Sequence, residues 1–389
     1  MATPPSDDAV YRLTEQVFGP LVRADQRAWA WRYLRALLTT PGKKSVRRLA
    51  ASVSASPTAA PAMHQFVNVS PWDWTPVREE LVRWTERRLA PQAWVVDLAV
   101  LPKRGEHSCG VHRRFVAAAG RVVTCQVGVG AFLATTADAV PVDWRLQLPG
   151  AWGKDPHRRR RARIPHDVGF RPPEQHALDL VDALAGASRA APVPVVADLG
   201  ATPRAGSLVR GLAARNRDFV LAVPDGLRVR ATRSAARPPH PRGEAYGPVH
   251  TARGVLGGHL HGPLRTEEAV RTGGRAYRAA VATALVHPVD RPSPGKPHRA
   301  YRLFTVRTEE GPAPSQLWLT SMTHARTESL LALTRLPART RQTTRRLEED
   351  LGLLDFEGRS YPGWHHHMTL VSAAYALHRL HHRPVPVEV

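Results

Sequence analysis

The pattern of hydrophobic and polar residues predicts a helical beginning for this chain. Between residues 11 and 51, apolar side chains recur at helical spacing with arginines between them, which predicts a pair of helices. Pro41-Gly42 interrupts the pattern, and a further helix is predicted to begin at Lys43. Another helix is predicted over 70–89, with Ser70 as its N-cap and a proline in its first position. We therefore expect an N-terminal helical region over residues 1–89.

The middle of the chain has the pattern of a sheet. Apolar segments of strand length lie at 94–101, 112–119 and 122–134, a helix is predicted at 172–187, and strands follow at 193–197 and 218–224. Three antiparallel strands followed by helix-linked parallel ones are typical of a ribonuclease-H-like domain, in which the first and fourth strands are neighbours. The predicted fold class is therefore α/β, a ribonuclease-H-like mixed sheet flanked by helices over residues 90–389.

The rest of the chain adds an insertion and a helical end. Residues 225–300 are rich in Arg, Pro and Gly, and strands resume at 301–306 and 317–322, which predicts a β-rich insertion at about 225–325. Helices are predicted at 327–333 and 339–351, the second stopped by Gly352, and a last helix has an apolar face that includes Leu370 and Leu377.

Two aspartates belong to apolar strands. Asp97 lies in the middle of the strand at 94–101, and Asp198 ends the segment VPVVADLG. An acidic side chain in a strand core is costly unless it is compensated, and a divalent cation is the usual compensation where phosphates react. The expected strand order makes the two aspartates neighbours in space. The alternative is that each one caps the turn after its strand.

The charge of the chain indicates a polyanionic partner. The sequence has 55 Lys and Arg against 33 Asp and Glu, a formal net charge of +22. Nucleic acid is the leading candidate for this partner. A ribosomal or membrane-surface protein would share the charge but would not need two buried aspartates. No apolar segment approaches the roughly 20 residues that span a bilayer, and the N-terminus is polar. We expect a cytoplasmic, nucleoid-associated protein without membrane or small-molecule partners.

Several basic side chains are candidates for contacts with DNA. A basic helix after a tight turn could enter a DNA groove, although such a helix can also be a solvated face. Residues beside the Asp97 strand could hold a scissile phosphate, and a run of four arginines belongs on the surface. The candidates are Lys43, Lys44, Arg47, Arg48, Lys103, Arg104, Arg158, Arg159, Arg160 and Arg161.

Two-metal phosphoryl transfer requires about three carboxylates that converge from different elements. The candidates for the third are Glu348, Glu349, Asp350 and Glu357. We favour Glu349 on the expectation that leucines 347, 351 and 354 form the buried face of their helix. The alternative is a solvated run of charges.

Three histidines and two tryptophans have less specific signals. His365, His366 and His367 have the composition of a metal cluster, but consecutive residues of a helix point in different directions. Trp144 and Trp364 could stack on bases, or they could pack in the core.

Several motifs together resemble a known family. They are FVNVSPWDW at 66–74, WVVDLAVLPKRGEHSCGV at 94–111, CQVGVGAFLA, WRLQLPGAWGKDPHRRRRARIP, VVADLG, and DFEGRSYPGWHHHMTL at 355–370. In this order they resemble the DDE-type transposases of bacterial insertion sequences, in the branch named for insertion sequence seven-oh-one. The resemblance covers residues from about 20 to 380.

The resemblance implies a catalytic domain with a β-rich insertion, Mg²⁺ or Mn²⁺ as cofactor, and cleavage and transfer of strands at the ends of a mobile element. Asp97 and Asp198 match the first two catalytic aspartates of the family. The glutamate of the family falls at Arg341 or Gln342, and Leu98 replaces an aspartate found in many relatives.

Three functions are compatible with the sequence. The first is a transposase that binds double-stranded DNA as a homodimer and cleaves it with Asp97, Asp198 and Glu349. The second is a transposase-derived DNA-binding protein that no longer cleaves. The third is a structure-specific nuclease that uses the same two aspartates without transposition.

Overall fold

The computed structural model describes residues 5–116, 119–200, 204–231, 248–257, 264–272, 275–289, 299–308 and 316–383. The chain divides into two compact units. The first combines Met1–Pro192 with Ala338–Val389, and the second is Val193–Pro337.

Helices account for most of the first unit. They are α1 (Asp7–Val17), α2 (Ala24–Thr39), α3 (Val46–Val53), α4 (Ala59–Asn68), α5 (Trp74–Leu89), α6 (Ala151–Lys154), α7 (Pro156–Arg161) and α8 (Pro173–Ala187), followed later in the chain by α12 (Leu336–Asp350) and α13 (Tyr361–Leu380). The predicted helices are present, but two begin later than predicted. α3 begins at Val46, after Ser45 in extended conformation, and α5 begins at Trp74 because the Asp73 carboxylate accepts the Thr75 N–H at 2.8 Å.

The strands of the first unit form an antiparallel sheet. They are β1 (Ala93–Pro102), β2 (His112–Val116), β3 (Arg121–Ala134) and β4 (Ala139–Leu146). β3 pairs with β1 along one side, and with β2 and then β4 along the other. The predicted strands are confirmed as β1 to β3, apart from residues 117–118, which lie outside the described residues. β4 was not predicted.

The C-terminal helix α13 is the centre of the first unit. It packs against α2, α4 and α5 from the N-terminal region and against β4 from the sheet. It is therefore buried on almost every side along its 20 residues, beyond the single apolar face that the sequence predicts. Because α13 joins them, the helices before residue 89 and the strands after it belong to one unit. In the part of the chain that the structure describes, no helix combines the length and apolarity that a bilayer span requires.

The second unit has a mixed sheet. Its elements are β5 (Val195–Asp198), α9 (Ala205–Ala214), β6 (Phe219–Val223), β7 (Arg228–Ala231), β8 (Val249–Thr251), α10 (Ala252–Gly257), β9 (Leu264–Thr272), β10 (Arg275–Pro288), β11 (Tyr301–Thr308), β12 (Leu317–Thr320) and α11 (Thr327–Thr334). β5 and β6 are parallel, whereas the pairs from β6 through β12, β11 and β10 to β7 are antiparallel. The region 225–325 is β-rich as predicted, although residues such as 232–247 and 290–298 lie outside the described part. The whole is a mixed α/β fold of the ribonuclease-H-like kind.

Candidate functional site

The carboxylate of Asp97 is held at the middle of β1. Asp97 faces Gly130 of β3 and is 6% exposed. One carboxylate oxygen accepts the Leu98 N–H at 2.8 Å, and the other accepts the Thr340 hydroxyl of α12 at 2.6 Å. The guanidinium Nε of Arg341 lies 3.8 Å from the same Asp97 oxygen. Within the first unit, helix α12 therefore presents a hydroxyl and a cation to this carboxylate.

Asp198 ends β5 and belongs to the second unit. Its side chain is partly buried, and one carboxylate oxygen accepts the N–H of Gly200 at 3.3 Å. This is the bond of an aspartate that caps the turn after its strand, the alternative considered from the sequence. The pairing of Asp97 with Asp198 stays a prediction.

Glu349 does not lie beside Asp97, so its assignment as the third ligand was wrong. Thr340 is the residue of α12 that contacts Asp97, and Glu349 follows nine residues later, roughly 13 Å further along the helix axis at about 1.5 Å per residue. Glu349 is also exposed. Of the three leucines expected on the buried face, Leu347 and Leu351 are buried, whereas Leu354 is partly buried and lies beyond the end of α12; Glu349 is directed to solvent.

The other candidates for the third ligand are no better placed than Glu349 to serve in that role. Glu348 is partly buried, and its burial together with the charge of Glu349 raises its pKa. Asp350 is exposed, and the exposed Glu357 lies 3.9 Å from the Lys43 ammonium. Within the described ranges, no three His, Cys, Asp or Glu side chains form a group that could hold a metal ion.

Most of the predicted DNA-contacting residues of the first unit are on its surface. The exposed ones are Lys43, Arg47, Arg48, Arg104, Arg158, Arg160 and Arg161, and Arg159 is partly buried. The four arginines at 158–161 end the short helix α7, whose N-terminus is capped by the Asp155 carboxylate. Their guanidinium groups carry a dense positive charge over one helical turn, which suits a phosphate backbone.

The first correction to this set of predicted DNA contacts concerns Lys44. It is 4% exposed, and its ammonium donates to the carbonyl of Thr40 while its backbone N–H donates to Asp355 at 2.6 Å. Its stem packs against Gly352, whose φ of +67° ends α12 as the sequence predicts. Lys44 therefore attaches the turn before α3 to the segment after α12, and it is not available to DNA.

The second correction to the predicted DNA contacts concerns Lys103. Its ammonium donates to the carbonyls of Leu354 and Phe356 at 3.0 Å each, and burial lowers its pKa to about 8. A half-buried ammonium that already donates to two carbonyls is a structural group. Lys103 therefore fixes the segment after α12 against the end of β1 and does not hold a phosphate.

A family model for DDE superfamily endonucleases matches residues 16–289. The chain belongs to the DDE superfamily of endonucleases. The match includes Asp97 and Asp198 but ends before α12, so it does not extend to the residues that contact Asp97. A search of curated proteins gives no match.

DDE endonucleases use divalent metal ions, so the surroundings of Asp97 can be tested for such an ion. Mg²⁺ requires several oxygen ligands at about 2.0–2.1 Å, preferably carboxylates. Here Asp97 accepts a hydroxyl at 2.6 Å and is close to the cationic side chain of Arg341. A guanidinium in this position repels a metal ion and supplies no ligand. The residues that surround Asp97 in the first unit therefore do not fit a two-metal site.

The histidines and tryptophans of the family motifs are structural. Trp72 stacks on His366 at 3.9 Å between ring centroids, and Trp74 stacks on His365 at 4.5 Å. These contacts pack the FVNVSPWDW segment against the GWHHH segment, since one supplies the rings that stack on the other. The two tryptophans that could have stacked on bases, Trp144 and Trp364, are fully buried core residues.

Two histidines of α13 are neutral in the folded protein. The Nδ1 atom of His365 lies 3.2 Å from the Arg78 guanidinium, and burial lowers its pKa well below the usual value. Burial also lowers the pKa of His367 to about 3. Burial lowers the pKa of the middle residue, His366, to about 4, although both of its ring nitrogens lie 2.8 Å from backbone carbonyls, which partly offset the effect of burial.

We expect acid to destabilise the protein through His365 and His367. An unfolded histidine binds a proton below about pH 6.5, whereas these two stay neutral. The free energy of unfolding should therefore be largest above about pH 6.5 and fall by about 1.4 kcal/mol per pH unit for each histidine below it. Urea unfolding followed by circular dichroism at several pH values measures this slope. The exposed His64→Gln variant is the control and should keep it, and a free energy independent of pH below 6.5 would contradict the prediction.

Sequence reasoning missed Thr340 and Arg78. Thr340 contacts Asp97, and Arg78 is a buried arginine in the first-unit core. A partial signal existed for Thr340, because the resemblance had placed the glutamate of the family at the adjacent Arg341 or at Gln342. No signal distinguished Arg78 from the other arginines of α5.

Proposed function

We propose that this protein binds double-stranded DNA, as a homodimer at the ends of an insertion-sequence element, and that it does not cleave the strands. Membership of the DDE superfamily supports a role in DNA recombination. The net charge of +22 and the exposed arginines of α3 and α7 support binding to the phosphate backbone. The motifs also resemble the branch named for insertion sequence seven-oh-one, and we include membership of that branch in the proposal.

The proposal that the protein does not cleave DNA rests on one observation. The α12 residues that face Asp97 are Thr340 and Arg341, where strand cleavage with Mg²⁺ or Mn²⁺ requires a carboxylate. The Arg341 guanidinium balances the charge of Asp97, which is what a bound cation would otherwise do. The active transposase with Glu349 as third ligand, and the structure-specific nuclease, are both less well supported for this reason.

Cleavage assays test this proposal directly. We expect the protein to leave supercoiled plasmid DNA intact in the presence of Mg²⁺ or Mn²⁺ while it binds the same DNA. Nicking that depends on metal and is lost in Asp97→Asn would overturn the proposal.

A charge reversal at Arg341 should create affinity for metal. Arg341→Glu removes the cation beside Asp97 and puts a carboxylate in its place, so we expect Mn²⁺ affinity to rise by about tenfold or more, which corresponds to about 1.4 kcal/mol. Isothermal titration calorimetry with Mn²⁺ measures it. Arg345→Glu is the matched control, because Arg345 is an exposed arginine of the same helix and its reversal should leave Mn²⁺ affinity unchanged. Equal affinities in the two variants would contradict the role given to Arg341.

A further inference from the structure

The hairpin of β2 and β3 exposes two apolar side chains that face each other across the strands. Phe115 is 62% exposed and its cross-strand partner Val122 is 51% exposed. A cross-strand pair in a sheet is normally covered on at least one face, so this pair is an apolar surface open to solvent.

An exposed arginine lies beside this apolar pair. Arg113 lies two residues before Phe115 on the same face of β2, and it is exposed. By the same alternation, Arg114 and Arg121 lie on the opposite face of the hairpin. A protein partner that covered only the apolar pair would leave the Arg113 guanidinium unpaired. A polyanion pairs with it, and the surroundings therefore favour a nucleic acid.

The same face continues into a cleft of about 370 Å³. Arg113 and its cross-strand partner Thr124 line the cleft, together with Trp152 and with Arg158 of α7. The Arg158 guanidinium lies 5.6 Å from the Trp152 ring centroid, and Glu106 is the acidic residue among the lining side chains. Small-ligand pockets begin at about 300 Å³, so the cleft is large enough for one nucleotide.

We propose that this face, defined by Arg113, Phe115, Val122 and Arg158, binds an unpaired nucleotide of DNA, with its base stacked on Phe115 and its phosphates held by the two arginines. Bases in an intact duplex are covered by their neighbours, so the Phe115 ring can stack only on a base that has left the helix. The inference rests on the proposed binding to DNA and adds that distorted DNA is preferred over intact duplex.

Fluorescence anisotropy with two labelled DNAs tests the inference. One is an intact duplex, and the other is the same duplex with a short unpaired bulge. We expect the protein to bind the bulged DNA about tenfold to hundredfold more tightly, the fold-change that corresponds to one stacked base. Phe115→Ala should abolish this preference and leave affinity for the intact duplex nearly unchanged, whereas Phe115→Trp should retain the preference.

Tyr11→Ala is the matched control. Tyr11 is an aromatic residue of similar exposure, 56%, on α1 beside two aspartates, and its removal should change neither affinity. A preference for bulged DNA that is absent, or that survives Phe115→Ala, would overturn the inference. It would also be overturned if Phe115→Ala only reduced self-association in sedimentation, since the face would then bind a second copy. Failure to bind either DNA would instead overturn the proposed function.

Discussion

Binding to duplex DNA is expected to weaken by about three to five orders of magnitude between 50 and 200 mM salt, if about six to ten phosphates are contacted. Each phosphate neutralised by an arginine releases condensed counterions, and added salt opposes that release. A chain with a net charge of +22 and a row of exposed arginines on α7 has enough cations for contacts of this number. Fluorescence anisotropy with a labelled duplex at several salt concentrations gives the slope of log affinity against log salt.

Variants of single arginines show which surface makes the phosphate contacts that produce this slope. Arg160→Gln removes an exposed guanidinium of α7, and it should lower the magnitude of the slope by about one. Arg171→Gln is the control, because the Arg171 guanidinium is already paired with Asp179 at 2.7 Å and its loss should change the slope little. A flat response of the unmodified protein to salt would exclude the phosphate backbone as its main contact.

Replacement of Arg78 by methionine is expected to destabilise the protein by about 3 to 5 kcal/mol, the usual consequence of breaking a buried ion pair. Arg78 is 3% exposed, and burial lowers its pKa to about 10. Its guanidinium donates to the Asp143 carboxylate at 2.7 Å, to the carbonyls of Trp144 and His365, and to the Thr369 hydroxyl. These bonds join α5, β4 and α13, so their loss leaves buried acceptors without a donor.

Urea unfolding measures this effect, and Arg87→Met is the matched control. Arg87 belongs to the same helix but is exposed, so its replacement should change the free energy of unfolding by less than about 0.5 kcal/mol. If Arg78→Met were no less stable than Arg87→Met, the buried bonds of Arg78 would contribute nothing to the first unit. Arg145 keeps a bond of 2.8 Å to Asp143, which places the expected loss toward the lower end of the range.

The sequence failed to predict β4 and α4 for identifiable reasons. β4 contains Pro141 and Asp143, both of which are disfavoured in strands. In the structure Pro141 pairs with Phe132, where the register of β3 and β4 shifts, and proline is tolerated at such an irregularity. α4 contains Pro61, which is tolerated because it lies in the first turn, where a backbone N–H would have no helical partner. In both cases neighbouring elements override the local signal.

The sequence by itself determined the elements that periodicity controls. Alternation and length located β1, β3 and α8, and the mixed α/β class followed from their order. It also identified Asp97, because a carboxylate in the centre of an apolar strand is unusual in any fold. Local patterns were sufficient here, since each depends on residues close together in the chain.

Only the tertiary structure decided which residues surround Asp97 and which cations remain on the surface. The contact with Asp97 depends on which turn of α12 packs against β1, and that placed Thr340 and Arg341 there instead of Glu349. Lys44 and Lys103 looked like surface cations in the sequence, but the ammonium of each donates to backbone carbonyls of the first unit. A charge pattern gives the number of cations, whereas their burial depends on distant contacts, such as that of Lys103 with Leu354 and that of the Lys44 backbone N–H with Asp355, which no local pattern contains.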